Sequence, residues 1–436
     1  MKAGDRLELR FEKPVYGGDF LAHHDGQAVF VPFVLPGETA RVRVLDVKRH
    51  FARARVEAGG DDSAHRVEPS CAQFGQCGGC HYQHATPELQ VEFKKSILEE
   101  TLRRSGVVVP VPVETLSGPA LGYRNRIRLA VEVDAESKSL RLGYRARFSH
   151  EIIEAPECPV SAPVLLPCAR KIAGSLLRHG CLENEMEMEL MTTPTEDAVM
   201  ITLLLRSPKG AEEISSRLEA VFREQSEQVI GITLAVKAGE DAARILAHAG
   251  KRTLNYSVGG IDYSVPAGAF FQTNRFLLAA FRDQVTRDAH GETAWDLFAG
   301  VGFFARALEQ KFAAVVGVEA SEASFPSLQT ALSKPRSRAV LATTQDFLEE
   351  IRLRLEPAPD WIIFDPPRAG LEAKCCSLLN AIHAPRMTYV SCDPVTMARD
   401  LKLLTAERFQ IESIHLVDLF PQTFHFESVV QLSRRR

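Results

Sequence analysis

Apolar and polar residues alternate with a period of two through the first sixty residues. Arg6-Leu7-Glu8-Leu9-Arg10-Phe11 and Ala40-Arg41-Val42-Arg43-Val44-Leu45 each present one apolar face, and Ala28-Val29-Phe30-Val31 is rich in β-formers. Turn dipeptides at Gly17-Gly18, Asp25-Gly26 and Pro36-Gly37 separate these runs. The pattern predicts a small β-barrel over 1–60, with Gly59 to Ser63 as a linker. Thr86-Pro87-Glu88 supplies the N-cap and first turn of a helix that Gly106 stops. Residues 107–265 read mostly as strands, with helices near 162–178 and 210–224. Glu183, Glu185, Glu187 and Glu189 alternate as in a half-exposed strand. From about 270 the rhythm changes. Strands at 293–298, 314–318, 339–342, 361–364 and 387–390 alternate with helices at 276–289, 303–311, 321–332 and 394–406. That alternation predicts a mainly parallel α/β sheet over 266–436. Strands near 411–418 and 428–433 have no helix between them and suit an antiparallel edge.

With 436 residues, 45% hydrophobic and 25% charged, the chain suits two to four globular domains and excludes a disordered or fibrous protein. The formal charge of −4 removes a whole-chain basic signature, so any nucleic-acid surface must be a local patch. Two basic stretches qualify: Arg41, Arg43, Lys48, Arg49, Arg53 and Arg55, and the six arginines from Arg124 to Arg147. The first is equally readable as a solvated strand face. No signal-peptide core and no apolar run of membrane-spanning length occurs, so a cytoplasmic protein without membrane partners is expected. Nine cysteines in such a chain are more readily thiols, metal ligands or nucleophiles than disulfides.

Four motifs carry chemistry. Trp295-Asp296-Leu297-Phe298-Ala299-Gly300-Val301-Gly302 is a strand entering a glycine turn, and Glu319 ends the next strand, where a carboxylate can hold a ribose diol. Ala305 replaces the third glycine of a dinucleotide fingerprint, so a nucleoside without pyrophosphate fits better, S-adenosylmethionine above all. Asp365-Pro366-Pro367-Arg368 is a rigid acidic turn at a strand end. Cys392, in Ser391-Cys392-Asp393-Pro394, sits at another strand end beside a predicted helix N-terminus, which would lower its thiol pKa. It is a candidate nucleophile or a packed thiol. Glu427 opens the final strand and says little alone. Cys71-x5-Cys77-x2-Cys80 with the distant Cys158 offers four thiolates. The single distant arm favours [4Fe–4S] over zinc, and Gly78-Gly79 lets backbone donors reach the sulfurs. The remaining cysteines, Cys168, Cys181, Cys375 and Cys376, have no such spacing.

In this order, the motifs resemble those of the RNA 5-methyluridine methyltransferases, in their iron–sulfur branch with an N-terminal TRAM domain, over nearly the whole chain. The resemblance implies three domains: a TRAM-like RNA-binding barrel over 1–60, a central mixed α/β iron–sulfur domain over 61–265, and a doubly wound class I methyltransferase domain over 266–436. It also implies that Cys71, Cys77, Cys80 and Cys158 ligate the cluster, and that Gln272, Phe298, Gly300, Gly302, Glu319 and Asp365 line the S-adenosylmethionine pocket. Cys392 would then be the nucleophile and Glu427 the base. Phe303 stands where some relatives place a cofactor-touching asparagine, and Asp346 lies near an adenine-contact position. Phe270 or its neighbour Phe271 would stack on an extruded base. The implied reaction is methylation of a uridine at C5 in RNA by a monomeric enzyme, with large-subunit ribosomal RNA favoured over transfer RNA. Rivals are an amino-group methyltransferase, suggested by Asp-Pro-Pro, and a non-catalytic iron–sulfur RNA-binding protein. Radical chemistry on S-adenosylmethionine is disfavoured, because its cluster spacing differs.

Overall fold

The computed structural model describes every residue except 60–62, 134–138, 183–185, 238–242, 355–356 and 436. Most of the expected linker, and Glu183 and Glu185 of the alternating run, thus lie outside the described residues.

Strands β1 (Arg6–Arg10), β2 (Lys13–Pro14), β3 (Asp19–His24), β4 (Gln27–Pro32), β5 (Thr39–Val47) and β6 (Phe51–Gly59) form one sheet in the order β1-β5-β6-β4-β3-β2. The period-two pattern acts as anticipated: Ala40, Val42 and Val44 are buried while Arg41 and Arg43 face water. Tyr82 and Phe93, beyond the barrel in sequence, complete its core. Phe93 lies on helix α1 (Pro87–Ser105), which is capped by Thr86 and ended by Gly106 in the left-handed conformation that glycine adopts without penalty. Further along α1, Ile97, Leu98 and Leu102 enter the core of the C-terminal sheet. The helix is therefore a strut between barrel and C-terminal sheet, and strand β7 (Val113–Leu116) continues into that same sheet.

The central layer holds β8 (Arg126–Val133), β9 (Leu140–Arg145), β10 (Ile152–Glu154), α2 (Leu165–Arg178), β11 (Met186–Thr192), β12 (Val199–Leu205), α3 (Ala211–Arg223), β13 (Val229–Lys237) and β14 (Ala243–Gly250). Its sheet runs β10-β9-β8-β11-β12-β13-β14, with the apolar faces of α2 and α3 packed in the same core. The hairpin β15 (Thr253–Val258) and β16 (Ile261–Pro266) turns Leu254, Tyr256 and Val265 into the core of the C-terminal region.

That region contains α4 (Leu278–Val285), β17 (Gly291–Leu297), α5 (Ala305–Leu308), β18 (Phe312–Glu319), α6 (Phe325–Ala331), β19 (Arg338–Leu341), α7 (Thr344–Arg354), β20 (Trp361–Phe364), α8 (Glu372–Ala381), β21 (Arg386–Ser391), α9 (Pro394–Glu407), β22 (Phe409–Val417) and β23 (Glu427–Arg434). The sheet order is β19-β18-β17-β20-β21-β23-β22-β7. The strands from β17 to β21 pair in parallel, and β17 sits where the winding reverses, the place at which open α/β sheets bind ligands.

Three expectations need correction. The last two strands are antiparallel, but β23 inserts between β21 and β22, and the edge is β7, recruited from more than three hundred residues earlier. The helix expected over 276–289 starts late, because Asn274 Oδ1 accepts from the Phe276 and Leu277 amides and holds a turn there. Helix α5 spans four residues, and α7 and α8 had no counterpart in the sequence reading. No helix among the described residues is long and apolar enough to cross a membrane.

Candidate active site

The antiparallel insertion of β23 builds the site. Ser391–Ser428 is the last paired rung, so Cys392, just past β21, and Glu427, the first residue of β23, come to the same end of the strand pair across thirty-four intervening residues, near enough to act on each other electrostatically. The turn after β21 is fixed by its own residues. Asp393, in extended conformation, caps α9 by accepting from the Val395 and Thr396 amides at 2.9 Å, and Pro394 occupies the first helical turn. Ser391 Oγ donates to the Asp393 carbonyl at 3.0 Å. Tyr16, from the barrel's β2–β3 turn, donates its hydroxyl to the Cys392 carbonyl at 3.3 Å, so the barrel forms part of the wall around Cys392.

The expected lowering of the Cys392 pKa is not found. Burial pushes the thiol up to about 12, and the facing carboxylates of Glu427 and Asp365 push the same way. The helix terminus is outweighed because the sulfur is withdrawn from water between two acids. Arg368, exposed at the end of the Asp-Pro-Pro turn, opposes them and acts electrostatically on both Cys392 and Glu427. The sequence reading quoted Arg368 without giving it a role. Its signal was a cation directly after a rigid acidic turn. Glu427 is buried, and its pKa lies well above the usual carboxylate range through burial and then Asp365. One of its oxygens, Oε2, has no hydrogen-bond partner. His425, stacked on Phe424 at 3.9 Å between ring centroids, is held neutral, its pKa lowered to about 3 by burial and nearby cations.

Asp365 leaves β20 and faces Gln272, whose amide nitrogen donates to its Oδ2 at 3.2 Å. Burial pushes the Asp365 pKa up to about 7. Phe298 adopts a left-handed φ of 66°, unusual for a bulky residue and typical of ligand loops. Gly300 has φ 55° and Gly302 φ 88°; a Cβ on Gly302 would lie 2.8 Å from that of Ala331. Glu319 accepts from the Gly300 and Ser321 amides, both at 2.6 Å, and so ties the glycine loop to the end of β18. The residue that sequence reasoning missed is Asp296. It is fully buried, neither carboxylate oxygen has a partner in good hydrogen-bond geometry although the Ala305 amide lies close, and burial with Asp365 and Glu319 nearby drives its pKa well above the usual range. An acid inside the apolar strand Ala294 to Leu297 was the signal. Three carboxyl groups around one loop, one of them orphaned, suit a ligand carrying positive charge, as the sulfonium and ammonium groups of S-adenosylmethionine do. Phe303 instead packs inward against Tyr263 and Phe271, at 5.3 and 5.6 Å. Asp346 is engaged in a reciprocal cap with Thr343. Of the two adjacent phenylalanines, Phe270 is 65% exposed and Phe271 is buried.

Cys71, Cys77, Cys80 and Cys158 come within electrostatic reach of one another, and burial raises the thiol pKa of the first three, that of Cys80 to about 12. The Gly79 amide donates to Cys77 Sγ at 3.4 Å, as the glycine pair anticipated. Among the described residues no three His, Cys, Asp or Glu side chains converge tightly enough to hold a single metal ion. Beside this segment, the amides of His81 and Tyr82 both donate to the Gln422 carbonyl, at 2.7 and 3.0 Å. Gln90 of α1 accepts from the Gln422 amide at 2.8 Å, and buried Lys94 reaches Asp418 at 2.5 Å. The loop that delivers Glu427 is thus clasped by the cysteine segment and the strut helix.

The second basic stretch is half-buried and largely paired with acids, with Arg128 exposed. Arg126 and Arg128 both clamp Glu189, Arg141 pairs with Glu132 and Arg147 with Asp19, so Glu189 is buried rather than half-exposed. Arg41, Arg43, Arg53 and Arg55 do stand exposed on β5 and β6.

Comparisons with known proteins agree with this layout. A family model described as tRNA (Uracil-5-)-methyltransferase matches residues 341–435, and the TRAM domain model matches residues 2–56. The chain is 34% identical to the 23S rRNA (uracil(1939)-C(5))-methyltransferase RlmD of Chromohalobacter salexigens, covering 98% of this chain and 89% of that one. It is 30% identical to the RlmD protein of Shewanella amazonensis, covering 98% and 96%. Among solved structures, the tRNA (uracil-54, C5)-methyltransferase of Pyrococcus abyssi in complex with S-adenosyl-L-homocysteine superposes with a TM-score of 0.75 at 24% identity, over 97% of this chain and 99% of that one.

Proposed function

Since the chain belongs to the RNA (uracil-C5)-methyltransferases, we propose that it methylates C5 of one uridine in 23S ribosomal RNA through a covalent bond between Cys392 and C6. The observation that carries this reading is that the β21–β23 pairing brings Cys392 and Glu427 to one place with Asp365 alongside. Uracil C5 is too weak a nucleophile to take a methyl group unaided. Attack of the Cys392 thiolate on C6 makes C5 electron-rich. C5 would take the methyl group that S-adenosylmethionine supplies, S-adenosylhomocysteine leaving with the electron pair of the broken C–S bond, and Asp296, Glu319, Asp365, Gln272 and the Phe298–Gly302 loop would hold that cofactor. Glu427 takes the C5 proton, and elimination expels the sulfur and restores the ring.

The resting site is arranged so that the thiol stays protonated until charge arrives. Cys392 faces two carboxyl groups that are themselves raised, and positive charge brought into the pocket lowers the pKa of each acid that faces it. Arg368 supports the thiolate from the open side. Phe270, exposed beside Gln272, is the ring available to a base flipped from the RNA, while Phe271 belongs to the core.

The exposed barrel arginines bind the RNA backbone. The four thiols and the Gly79 donor fit a [4Fe–4S] cluster held by Cys71, Cys77, Cys80 and Cys158, and the clasp on Gln422 supports a structural role for it. No step above needs electron transfer. A monomeric, cytoplasmic enzyme organised as barrel, central domain and methyltransferase domain fits this reading.

The test is a 23S ribosomal RNA transcript carrying 5-fluorouridine. Fluorine cannot leave as a proton, so a denaturant-stable adduct on the Cys392 peptide is expected with wild type and not with Cys392→Ser. Methylation that survives Cys392→Ala would reject the covalent route and favour an amino-group enzyme. Methylation of transfer RNA but not of ribosomal RNA transcripts would move the substrate to the class acted on by the Pyrococcus abyssi protein.

A further inference from the structure

The turn joining β9 to β10 ends in a bare aromatic ring. Phe148 is 87% exposed, more than any other large hydrophobic side chain among the described residues. Its φ is +63°, a left-handed conformation that sterics disfavour for a bulky side chain. The turn around it is nonetheless ordered by hydrogen bonds. Ala146 N donates to the Glu151 carbonyl at 2.9 Å, and Glu151 N donates to Ser149 Oγ at 3.2 Å. The cysteine segment holds the same turn from the side, through Gly78 N to the Arg145 carbonyl at 3.0 Å and Arg147 N to the Gln76 carbonyl at 3.2 Å.

Behind the ring lies a stack. The Arg147 guanidinium carbon is 5.0 Å from the Phe148 centroid and 5.1 Å from that of Phe33, a barrel residue that also has a positive φ, of 64°. Arg147 is fixed by Asp19 at 2.8 Å, and Phe33 packs edge-on against Phe74 at 5.0 Å, between Cys71 and Cys77 in sequence. Ring, cation and ring thus alternate from the cysteine segment and barrel outward, and the last ring has no outer neighbour. Three separate chain segments fix its position, so it is presented rather than merely exposed.

The charge beside it identifies what covers it. Arg147 is neutralised by Asp19, and the exposed Arg53, which acts on the same Asp19, leaves the site with a net positive charge that suits a polyanion; a flat neutral ring on an anionic backbone is a nucleobase. We propose that Phe148 is a stacking platform for an unpaired base of the substrate RNA, outside the pocket that takes the reacting uracil. This rests on the proposed RNA substrate and adds a second contact to it.

The experiment measures binding of the full-length protein to a 23S ribosomal RNA transcript and to a fully paired RNA duplex, for wild type, Phe148→Ala, Phe148→Leu and Phe148→Trp. Loss of one base–aromatic stack weakens Kd about 5- to 150-fold. Phe148→Ala and Phe148→Leu are expected to weaken transcript binding in that range, to leave the salt dependence unchanged because no phosphate contact is lost, and to leave duplex binding unchanged. Phe148→Trp is expected to restore affinity and to show indole fluorescence quenched by the transcript, against a background of two buried tryptophans, Trp295 and Trp361. Equal transcript affinity of wild type and Phe148→Ala would overturn the platform, as would Phe148→Leu binding as well as Phe148→Trp. If wild type neither binds nor methylates the transcript, the substrate reading fails instead, and the two failures are distinguishable.

Discussion

Replacing Glu427 by glutamine tests the juxtaposition on which the chemistry depends. The thiol of Cys392 is pushed up to about 12 by burial, then by Glu427 and Asp365, with Arg368 opposing. Glutamine keeps the volume of the side chain and removes its charge. The whole rise is about three units above the ordinary value near 9 and burial is its largest part, so Glu427 accounts for roughly one unit, or about 1.4 kcal/mol. The thiol should therefore fall to about 11 and no further, because the burial that dominates the shift remains. At pH 10 the thiolate fraction would rise from about 1% to about 9%, while the lower basicity of the sulfur makes each thiolate roughly threefold less reactive, for a net gain of about threefold. The assay is the pH dependence of iodoacetamide labelling from pH 7 to 11, read on the Cys392 peptide by mass spectrometry. Arg368→Ala should move the midpoint the opposite way. If Glu427→Gln leaves the labelling profile unchanged, the carboxylate does not face the sulfur and the proposed division of roles fails.

Other outcomes follow from the same geometry. Asp365→Asn should stabilise the ligand-free protein, and more so at pH 8 than at pH 5: a carboxyl whose folded pKa is raised favours the fold below its unfolded value near 4 and loses that contribution as pH rises through about 7. Thermal melts at the two pH values decide it, and a gain that is larger at pH 5 would contradict the burial argument. Lys94→Ala should cost about 3–5 kcal/mol in urea unfolding, because Asp418 is left as a buried charge without its partner; a loss below about 1 kcal/mol would mean that water reaches the pair. Tyr16→Phe removes one hydrogen bond worth about 1 kcal/mol and should slow single-turnover adduct formation while leaving S-adenosylmethionine affinity intact. An unchanged adduct rate would show that the barrel does not help hold the nucleophile turn.

Local chemistry made much of this protein legible in its sequence. Thr86, Pro87 and Gly106 mark the ends of α1 because capping and left-handed termination involve only neighbouring residues. The four apolar residues of β20 and the alternation in β5 report burial on two faces or on one, which is a matter of period. The glycine turn after β17, the acidic turn after β20 and the capped cysteine turn after β21 could each be recognised, since each is a continuous segment with its own backbone constraint. Pairing was not legible. Nothing near Glu427 announces that β23 slots in antiparallel beside β21 and brings this acid near Cys392, and nothing near Val113 announces an eighth strand. The arginines of β8 gave only their charge; whether they meet Glu189 or a phosphate depends on which strand lies alongside. The thiol was misjudged for the same reason: a helix terminus is a local feature, whereas desolvation and two facing acids arise only when distant segments close around the sulfur. Sequence determined the elements and the inventory of reactive groups. Tertiary structure decided which of those groups meet, because register and burial are set by contacts between residues far apart in the chain.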